Sequence, residues 1–398
     1  MSDMANSSIE QAHIIVSDLC ERFARGWHCL GLSETFRDGK PHTLEAFGTQ
    51  LVVFEGEHSK KLNVLNAFCP HLGGNLGEGS IKGDTIACPF HDWRWAGDGK
   101  CAAIPYAKRV PLRARTQSFI TCEENQQLFV WHDPEGNPPP PGVIIPRLEG
   151  AFSADWSDWD WSIHEVDTNS RELVDNLVDV AHFFYVHGEG KGAASTYFKN
   201  VFEGHFATQY LEMGPQPAVP SYQKDAVYSG DLRGLDGYSR GETTYHGPSY
   251  LVSRLMSNFP GGDPVESYEI LAHYPVHANK FVLHMGFITL SNPALSAEQN
   301  AERAKAAAQV LRYGTLQDVH IWKTKARIDN PLLCDSDGPL YQLRRWYQQF
   351  FVDVADVKAE MVNLFEAETD TRHALPVWDQ QAAEKIAEEA RQAAVAHS

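Results

Sequence analysis

The pattern of hydrophobic and polar positions changes near residue 134. In residues 26–133, short apolar runs alternate with glycine-containing turns at 50–55, 62–68 and 127–131, which predicts a small antiparallel β domain. Residues 1–25 form an amphipathic segment that we predict to be a lead-in helix. The prolines of residues 134–146 favour extended polyproline II structure, so we interpret this segment as a linker between domains.

Residues 147–379 show the mixed periodicity of a larger domain with helices and strands. A helical pattern covers residues 171–187, and residues 280–289 read as a strand. Ser296 and Gln299 give the capping-box signature that opens a long helix, which we expect to reach about residue 327. The Ala/Glu-rich residues 380–398 are predicted to form a surface helix. The fold class is therefore α+β.

Charge and cysteine content narrow the classes of function. The 398 residues include 34 Lys and Arg against 52 Asp and Glu, a net charge of −18, which disfavours nucleic acid as a partner. Seven cysteines in so long a chain are not a disulfide framework and indicate a reducing compartment. We find no secretory signal and no apolar run of roughly 20 residues, so we expect a cytoplasmic protein without a membrane anchor.

Two cysteines and two histidines form the first candidate metal site. Cys69 and His71 make a C-x-H pair, and sixteen residues later Cys88 and His91 make a C-x-x-H pair. Zinc accepts two cysteines and two histidines, but its common finger pairs cysteine with cysteine and histidine with histidine. Here each loop supplies one of each, as in a Rieske [2Fe–2S] centre, where two cysteines hold one iron and two histidines the other. A structural zinc loop is the alternative.

A second candidate site lies in the helical pattern of residues 171–187. Asp175, Asp179 and His182 fall on one helical face, whereas His187 lies about 140° further round an ideal helix. Both histidines reach one metal only if the helix ends after His187 or contains a π-bulge, a feature common at functional sites.

Two histidines need a carboxylate to complete the triad that leaves iron positions open for dioxygen. Asp175 and Asp179 are near in sequence. Asp318, in the predicted long helix, is better placed, because it shares a face with apolar residues where a carboxylate is costly to bury without a cation.

With these motifs in place, the chain resembles the Rieske non-haem iron oxygenases, and in particular the oxygenase components of the 3-ketosteroid 9α-hydroxylases. The resemblance covers about residues 22–370. It rests on the cluster motifs and on six longer stretches: ARGWHCLGL (24–32), ACPFHDWRW (87–95), VDNLVDVAHFFYVH (174–187), FKNVFEGH (198–205), RIDNPLL (327–333) and YQLRRWYQQFFVDVADV (341–357).

The resemblance implies two cofactors. One is the [2Fe–2S] cluster on the two Cys–His pairs, and the other is a mononuclear non-haem Fe(2+) held by His182, His187 and Asp318. It also implies a catalytic domain built as an antiparallel sheet flanked by helices, similar to the helix-grip fold.

The resemblance further implies a head-to-tail homotrimer. In that assembly Asp179 joins His182 to His91 of the partner subunit, an arrangement that orients both ligands and shortens the path for electrons. Asn176 is implied to lie near the iron without firm ligation.

The implied function is a terminal oxygenase that hydroxylates a 3-ketosteroid ring carbon, at the 9α position, during steroid degradation. It uses O2 and electrons that an NADH-dependent flavin/iron–sulfur reductase delivers. Alternatives within the class are a related steroid or bile-acid monooxygenase and a sterol desaturase that act at another ring position. Alternatives outside it are a Rieske electron carrier without catalytic iron and a zinc-stabilised lipid-binding module.

One segment departs from the family pattern. After His187 the sequence GEGKGAASTY is rich in glycine and alanine, where the family has a shorter and more aromatic segment. We expect this insert, residues 188–197, to form a flap over the entrance to the substrate site.

Overall fold

Three antiparallel sheets organise the protein. The computed structural model describes residues 14–16, 22–188, 194–214, 238–258 and 263–396. Within this part of the chain, two smaller sheets occupy the N-terminal third and one large sheet with its helices occupies the remainder. The predicted α+β fold class, with a small antiparallel β domain and a larger antiparallel sheet flanked by helices, is confirmed.

The N-terminal region contains a six-stranded sheet of order β1-β10-β9-β4-β3-β2 and a four-stranded sheet of order β5-β6-β7-β8. The three apolar runs predicted as strands correspond to β3, β4 and β10. The strands are β1 Gly26–Leu32, β2 His42–Ala46, β3 Thr49–Glu55, β4 Leu62–Asn66, β5 Ser80–Lys82, β6 Thr85–Ala87, β7 Arg94–Ala96, β8 Cys101–Ala103, β9 Ser118–Glu124 and β10 Gln127–His132.

The larger region is built on an eight-stranded sheet of order β11-β17-β16-β15-β14-β13-β12-β18, in which every neighbouring pair is antiparallel. The predicted strand over residues 280–289 is β17. The strands are β11 Asp160–Val166, β12 Ala194–Glu203, β13 Phe206–Gly214, β14 Ser239–His246, β15 Tyr250–Ser257, β16 Val265–His277, β17 Lys280–Thr289 and β18 Phe365–Glu368.

Five α-helices accompany the large sheet in the described residues. They are α1 Arg171–Asp175, α2 Ala297–Trp322, α3 Leu340–Gln348, α4 Ala359–Val362 and α5 Ala374–Ala396. Helix α2 packs against the sheet, and α1 and α3 join it in the largest hydrophobic core. Among these helices, none is long and apolar enough to cross a bilayer.

The observed ends of the two long helices agree only in part with the sequence predictions. The predicted capping box opens α2: Ser296 Oγ accepts from the Gln299 backbone N–H at 3.2 Å, and Gln299 Oε1 accepts from that of Ser296 at 2.8 Å. The helix ends at Trp322, short of residue 327, and the Thr324 hydroxyl donates to the carbonyl of His320 in the last turn, a local side-chain hydrogen bond that weakens the helical preference there. Helix α5 begins at residue 374, six residues before the predicted start.

The proline-rich segment runs along the N-terminal sheet. The indole N–H groups of Trp27 and Trp131 donate to the carbonyls of Val143 and Asn137 at 2.9 Å each, so the segment is fixed at two points. Of the predicted lead-in helix, residues 14–16 are extended, with a single bridge from Val16 to Ile328. Most of the rest of that segment lies outside the described residues.

Candidate active site

The two Cys–His pairs lie on neighbouring loops that follow β4 and β6. Each cysteine closes a tight loop through its own backbone: the N–H of Cys69 donates to Gly74 and that of Cys88 to Trp93, both at 2.9 Å. The loops bring the His71 and His91 rings to a centroid distance of 4.8 Å. The structure therefore gathers the four predicted cluster residues at one end of the N-terminal domain.

The chemistry of this group suits an iron–sulfur cluster. Both cysteines are buried and unbridged, and burial is the main cause that raises the pKa of Cys69, with Cys88 adding to it. Two such thiols form thiolates readily only beside a cation. Nδ1 of His91 is buried with no hydrogen-bond partner among the described residues, as expected of a metal ligand. A Cβ on Gly74 would lie 2.8 Å from the Cys88 sulfur, so only glycine fits there.

The helical segment that carries the second site is broken twice. Helix α1 ends at Asp175, residues 176–178 form a 3-10 turn, and Phe183–His187 is a π-helix. The wider π-turn rotates His187 toward His182, and their ring centroids lie 5.0 Å apart. A π-bulge was one of the two geometries that the sequence allowed, and the structure contains it.

Asp318 from α2 completes a three-residue group. Its carboxylate lies 3.3 Å from Nε2 of His187, and one ligand atom from each of His182, His187 and Asp318 lies within 4.8 Å of the others. Burial alone would lower the pKa of His187, but the hydrogen bond and charge of Asp318 outweigh it and leave that pKa raised. Two imidazoles and one carboxylate match the facial triad of non-haem iron sites.

The second ring nitrogens of the two histidines face polar partners. Nδ1 of His182 lies 2.7 Å from the Asp179 carbonyl oxygen, and Nδ1 of His187 lies 3.5 Å from Oε1 of Gln317. With its proton on Nδ1, each imidazole donates to that oxygen and keeps Nε2 free for a metal. Gln317 was not identified from the sequence, although it precedes Asp318 directly.

Asp175, the nearer carboxylate that the sequence left open, is engaged elsewhere. Its oxygens accept from Arg344 at 2.7 and 3.3 Å and from Arg327 at 3.3 Å. All three side chains are mostly buried, so the carboxylate balances two cations and is not available to a metal.

Asp179 and Asn176 take up different positions beside the group. The Asp179 side chain is 51% exposed, and its Oδ1 accepts from the backbone N–H groups of Ala181 and His182 at 3.1 and 3.3 Å. Desolvation raises the pKa of Asp179, but His182 and these backbone hydrogen bonds outweigh it and leave that pKa lowered. Asp179 is therefore a carboxylate at neutral pH. Asn176 lines the cavity and accepts from the Trp322 indole N–H at 3.1 Å.

A cavity of about 360 Å³ opens beside the three residues. Its walls are mostly apolar, and they come from the face of the large sheet, from α2 and from the helical segment of residues 173–187. The apolar lining includes Leu177, Leu211, Leu251, Leu255, Leu271 and Leu311. Such a cavity suits a rigid apolar molecule with few polar atoms.

One polar row crosses the apolar floor of this cavity. Gln209, Thr243, Ser253 and Glu269 are neighbours on four adjacent strands, β13 to β16, and all line the cavity. Thr243 Oγ1 donates to Ser253 Oγ at 3.0 Å, and the Thr315 hydroxyl donates to Glu269 at 3.4 Å. Burial raises the pKa of Glu269 to about 7.

Only strand register places this polar row under the cavity. It was not predicted from the sequence, because each of its residues alone is an ordinary polar position in a strand. The row offers a few hydrogen bonds within an otherwise apolar surface.

The structure describes part of the Gly/Ala-rich insert. Residues 189–193, the centre of the predicted flap, lie outside the described residues. Residues 194–197 belong to β12, so this end of the insert is strand.

Comparisons with known proteins agree with this geometry. Residues 26–119 match the family model of the Rieske [2Fe-2S] domain. The fold is similar to the crystal structure of dicamba monooxygenase bound to dicamba, with a TM-score of 0.62 over 84% of this chain and 98% of that chain, at 18% identity. The chain therefore contains a Rieske [2Fe–2S] domain and has the same overall fold as that structure.

The sequence comparisons are more specific. Residues 130–351 match the family model of the 3-ketosteroid 9alpha-hydroxylase C-terminal domain. An oxygenase component of 3-ketosteroid-9-alpha-monooxygenase from Rhodococcus rhodochrous is 50% identical over 95% of this chain and 96% of its own length. One from Mycobacterium tuberculosis (strain ATCC 25618 / H37Rv) is 48% identical over 94% and 93%. The chain belongs to the 3-ketosteroid 9α-hydroxylase family of Rieske oxygenases.

Family membership confirms the resemblance found in the sequence and decides between the classes left open there. A zinc-stabilised module does not match a [2Fe–2S] domain, and a bare electron carrier does not explain the second family match over residues 130–351.

Proposed function

We propose that this chain is the terminal oxygenase of a two-component Rieske monooxygenase that hydroxylates a 3-ketosteroid at the 9α position. The observation that carries the proposal is the group of His182, His187 and Asp318 beside a largely apolar cavity. Relatives with about half of their residues identical are oxygenase components of 3-ketosteroid-9-alpha-monooxygenases, which supports the substrate class and the position.

The two cofactors are a Rieske [2Fe–2S] cluster and a mononuclear non-haem iron. Cys69, His71, Cys88 and His91 hold the cluster, and His182, His187 and Asp318 hold the iron. When bound, the cluster supplies single electrons and the iron supplies the activation of dioxygen for insertion of one oxygen atom into a C–H bond. The remaining oxygen atom leaves as water.

The protein's own part is to orient ligands and substrate. The Asp179 carbonyl and Gln317 set the imidazoles of His182 and His187, so both present Nε2 to the same point. The leucine-lined walls exclude water from the reacting carbon. The polar row beneath them, which ends at Glu269, provides the hydrogen bonds that orient the oxygens of a steroid.

The electron path between cofactors crosses a subunit boundary in this proposal. In a homotrimer Asp179 joins His182 of its own chain, whose Nδ1 donates to the Asp179 carbonyl oxygen at 2.7 Å, to His91 of the partner subunit, which donates to the half-exposed Asp179 carboxylate. The exposure of its side chain and its lowered pKa support this role. Asn176 lies beside the iron as a polar neighbour that touches the substrate cavity.

The other elements of the proposal concern organisation and setting. We divide the chain into a lead-in segment (1–25), a Rieske domain (26–133), a linker (134–146), a catalytic domain (147–379) and a C-terminal helix (380–398). The two family matches support the division. An NADH-dependent flavin/iron–sulfur reductase supplies the electrons in the cytoplasm, and the reaction serves steroid degradation, a branch of lipid metabolism.

Product analysis tests the substrate class. The purified protein with the reductase component of a 3-ketosteroid-9-alpha-monooxygenase, NADH and O2 is given 3-ketosteroids with no side chain, an alkyl side chain or a carboxylated side chain. We expect mass spectrometry to detect monohydroxylated product at carbon 9, with one NADH and one O2 consumed per turnover. Oxidation at another ring carbon would favour the related steroid monooxygenases, and no oxidation of any steroid would refute the proposal.

A substitution tests the role of Asp179. Asp179→Asn keeps the shape but removes the negative charge beside His182 that accepts from the partner subunit's His91 in this proposal, so the visible spectrum of the cluster should persist while turnover falls by more than a hundredfold. Asp379→Asn, an exposed carboxylate on α5, is the matched control and should leave turnover unchanged. Normal hydroxylation by Asp179→Asn would remove the bridge from the mechanism.

A further inference from the structure

An exposed basic loop lies beside the cluster residues. Residues 99–122 contain five Lys and Arg and no Asp or Glu, and the segment 104–116, which we call the basic loop, carries four of them. Lys108, Arg109 and Arg113 are exposed and form no ion pair with any residue in the described part of the chain. The basic loop therefore presents three uncompensated positive charges.

These charges stand out against the composition of the chain. Residues 26–133 contain 11 Lys and Arg against 12 Asp and Glu, whereas the whole chain has 34 against 52. The Rieske region is thus close to neutral on a strongly acidic protein. An anionic molecule that approaches is repelled by most of the surface and attracted to this loop.

The basic loop is firmly attached to the core beneath the cluster. The Cys101 backbone N–H donates to the Ala114 carbonyl at 3.0 Å, and that of Thr116 donates to Gly99 at 2.8 Å. Val110 and Ala114 pack against the hydrophobic cluster that contains both cluster cysteines. The loop is therefore fixed relative to Cys69, Cys88 and their histidines.

A chain of aromatic contacts connects this loop with a cluster ligand. Tyr106, 65% exposed, accepts a hydrogen bond from the Trp93 indole N–H at 2.7 Å. Trp93 stacks on the His71 ring with 4.5 Å between centroids and 11° between planes. Close ring contacts thus lead from the protein surface to His71.

The loop also has the make-up of a small transient interface. Leu112 is fully exposed and Tyr106 is 65% exposed, so the basic loop carries two accessible apolar side chains as well as the three cations. Weak redox encounters bury little surface and depend on charge complementarity for their association rate.

We propose that the basic loop is the docking surface for the reductase, and that it receives an acidic iron–sulfur domain of that partner. In the docked complex one electron leaves the reduced donor cluster, which is oxidised, and reduces the cluster of this chain through Tyr106, Trp93 and His71. The inference rests on the proposed function, because it presumes that the cluster is filled and that a separate reductase reduces it.

Charge reversal tests the docking surface. In the holoenzyme with Lys108→Glu, Arg109→Glu and Arg113→Glu, the second-order rate constant for cluster reduction by the NADH-reduced reductase, followed by stopped-flow absorbance, should fall at least tenfold at low salt. In wild type, added salt should slow cluster reduction, because it screens the attraction between the basic loop and its partner. In the triple variant this dependence of the rate on ionic strength should flatten or invert, because no attraction is left to screen. The matched control reverses three exposed cations elsewhere, Lys61, Lys305 and Lys358, and should change the rate less than threefold.

A chemical reductant separates failure of docking from failure of the function. Single turnover of a 3-ketosteroid after reduction by dithionite should be the same in wild type and in the triple variant. If wild type hydroxylates no steroid under these conditions, the proposed function fails whatever the docking result. If dithionite-driven turnover is normal and the triple variant accepts electrons from the reductase at the wild-type rate, the docking inference is wrong.

Other occupants of the surface give different results. A change in oligomeric mass of the triple variant by light scattering would make the basic loop a subunit interface. Loss of binding to phosphatidylglycerol-containing vesicles with an unchanged reduction rate would make it a membrane-contact surface. Either outcome overturns reductase docking.

Substitution of Tyr106 tests the electron path. With saturating reductase, Tyr106→Ala should lower the first-order rate of cluster reduction severalfold, because the surface end of the ring contacts is lost. Tyr106→Phe keeps the ring and should restore most of the rate. Equal rates for wild type and Tyr106→Ala would exclude this path.

Discussion

Two buried carboxylates compete for the role of third iron ligand, and matched substitutions separate them. Asp175 and Asp318 have similar side-chain exposures of 10% and 11%. Asp175 balances Arg344 and Arg327, whereas Asp318 faces the imidazole of His187. We therefore expect Asp175→Asn to affect stability and Asp318→Asn to affect iron content.

The contacts set the size of each effect. Removing one partner from a buried ion pair costs about 3–5 kcal/mol, because a desolvated charge remains. At Asp175 the cost should lie near the lower end, about 3 kcal/mol. Arg327 also pairs with Glu172 at 3.5 Å, and Arg344 also donates to the Ile328 carbonyl at 2.5 Å. At Asp318 one hydrogen bond to Nε2 of the His187 imidazole is weakened, which costs about 1 kcal/mol.

The assay compares both variants with wild type in the metal-free state, so that bound iron does not add to the measured stability. Urea unfolding gives the free energy, and atomic absorption of the reconstituted proteins gives iron per chain beyond the cluster iron. Asp318→Asn should lose at least nine-tenths of the mononuclear iron, and Asp175→Asn should retain it. Loss of iron in Asp175→Asn together with full iron in Asp318→Asn would refute our assignment of the ligand.

Three further predictions concern stability and the shape of the site. Burial lowers the pKa of His28 to about 4 and of His273 to about 3, so the native state holds them neutral while the unfolded chain takes up protons below its pKa of about 6.5. Stability should be fully present above pH 6.5 and fall by about 2 kcal/mol per histidine at pH 5; an unchanged urea midpoint between pH 7 and pH 5 would contradict this. A Cβ on Gly314 would lie 3.4 Å from Nδ1 of His187, so Gly314→Val should displace the ring and reduce mononuclear iron, while Gly314→Ala should keep the iron and stabilise α2 by up to about 1 kcal/mol in thermal unfolding. Trp322→Phe removes the donor to Asn176 and should cost about 1 kcal/mol in urea unfolding, with cluster absorbance unchanged.

Local sequence patterns were sufficient to predict many of the strands and the start of α2. Alternating or continuous apolar runs predicted β3, β4, β10 and β17, because side-chain burial in a strand repeats over neighbouring residues. The capping box of α2 was equally readable, since both of its hydrogen bonds lie within four residues. The end of α2 could not be predicted in this way, because the helical pattern of the sequence continues past Trp322.

The sequence by itself determined the cluster motif, since its four residues lie on two short loops whose spacing is the signature. It also showed that His182 and His187 reach one metal only if the chain forms a π-bulge or ends the helix there. Which of these occurs was decided by the structure, because the two differ little in sequence.

Tertiary structure alone separated Asp318 from Asp175, by bringing Arg327 and Arg344 from more than 150 residues away in sequence to neutralise the latter. It also aligned Gln209, Thr243, Ser253 and Glu269 into one row, through the register of four strands. In both cases the cause is the same: burial forces each charged or polar side chain to find a partner, and only the folded chain determines which partners are within reach.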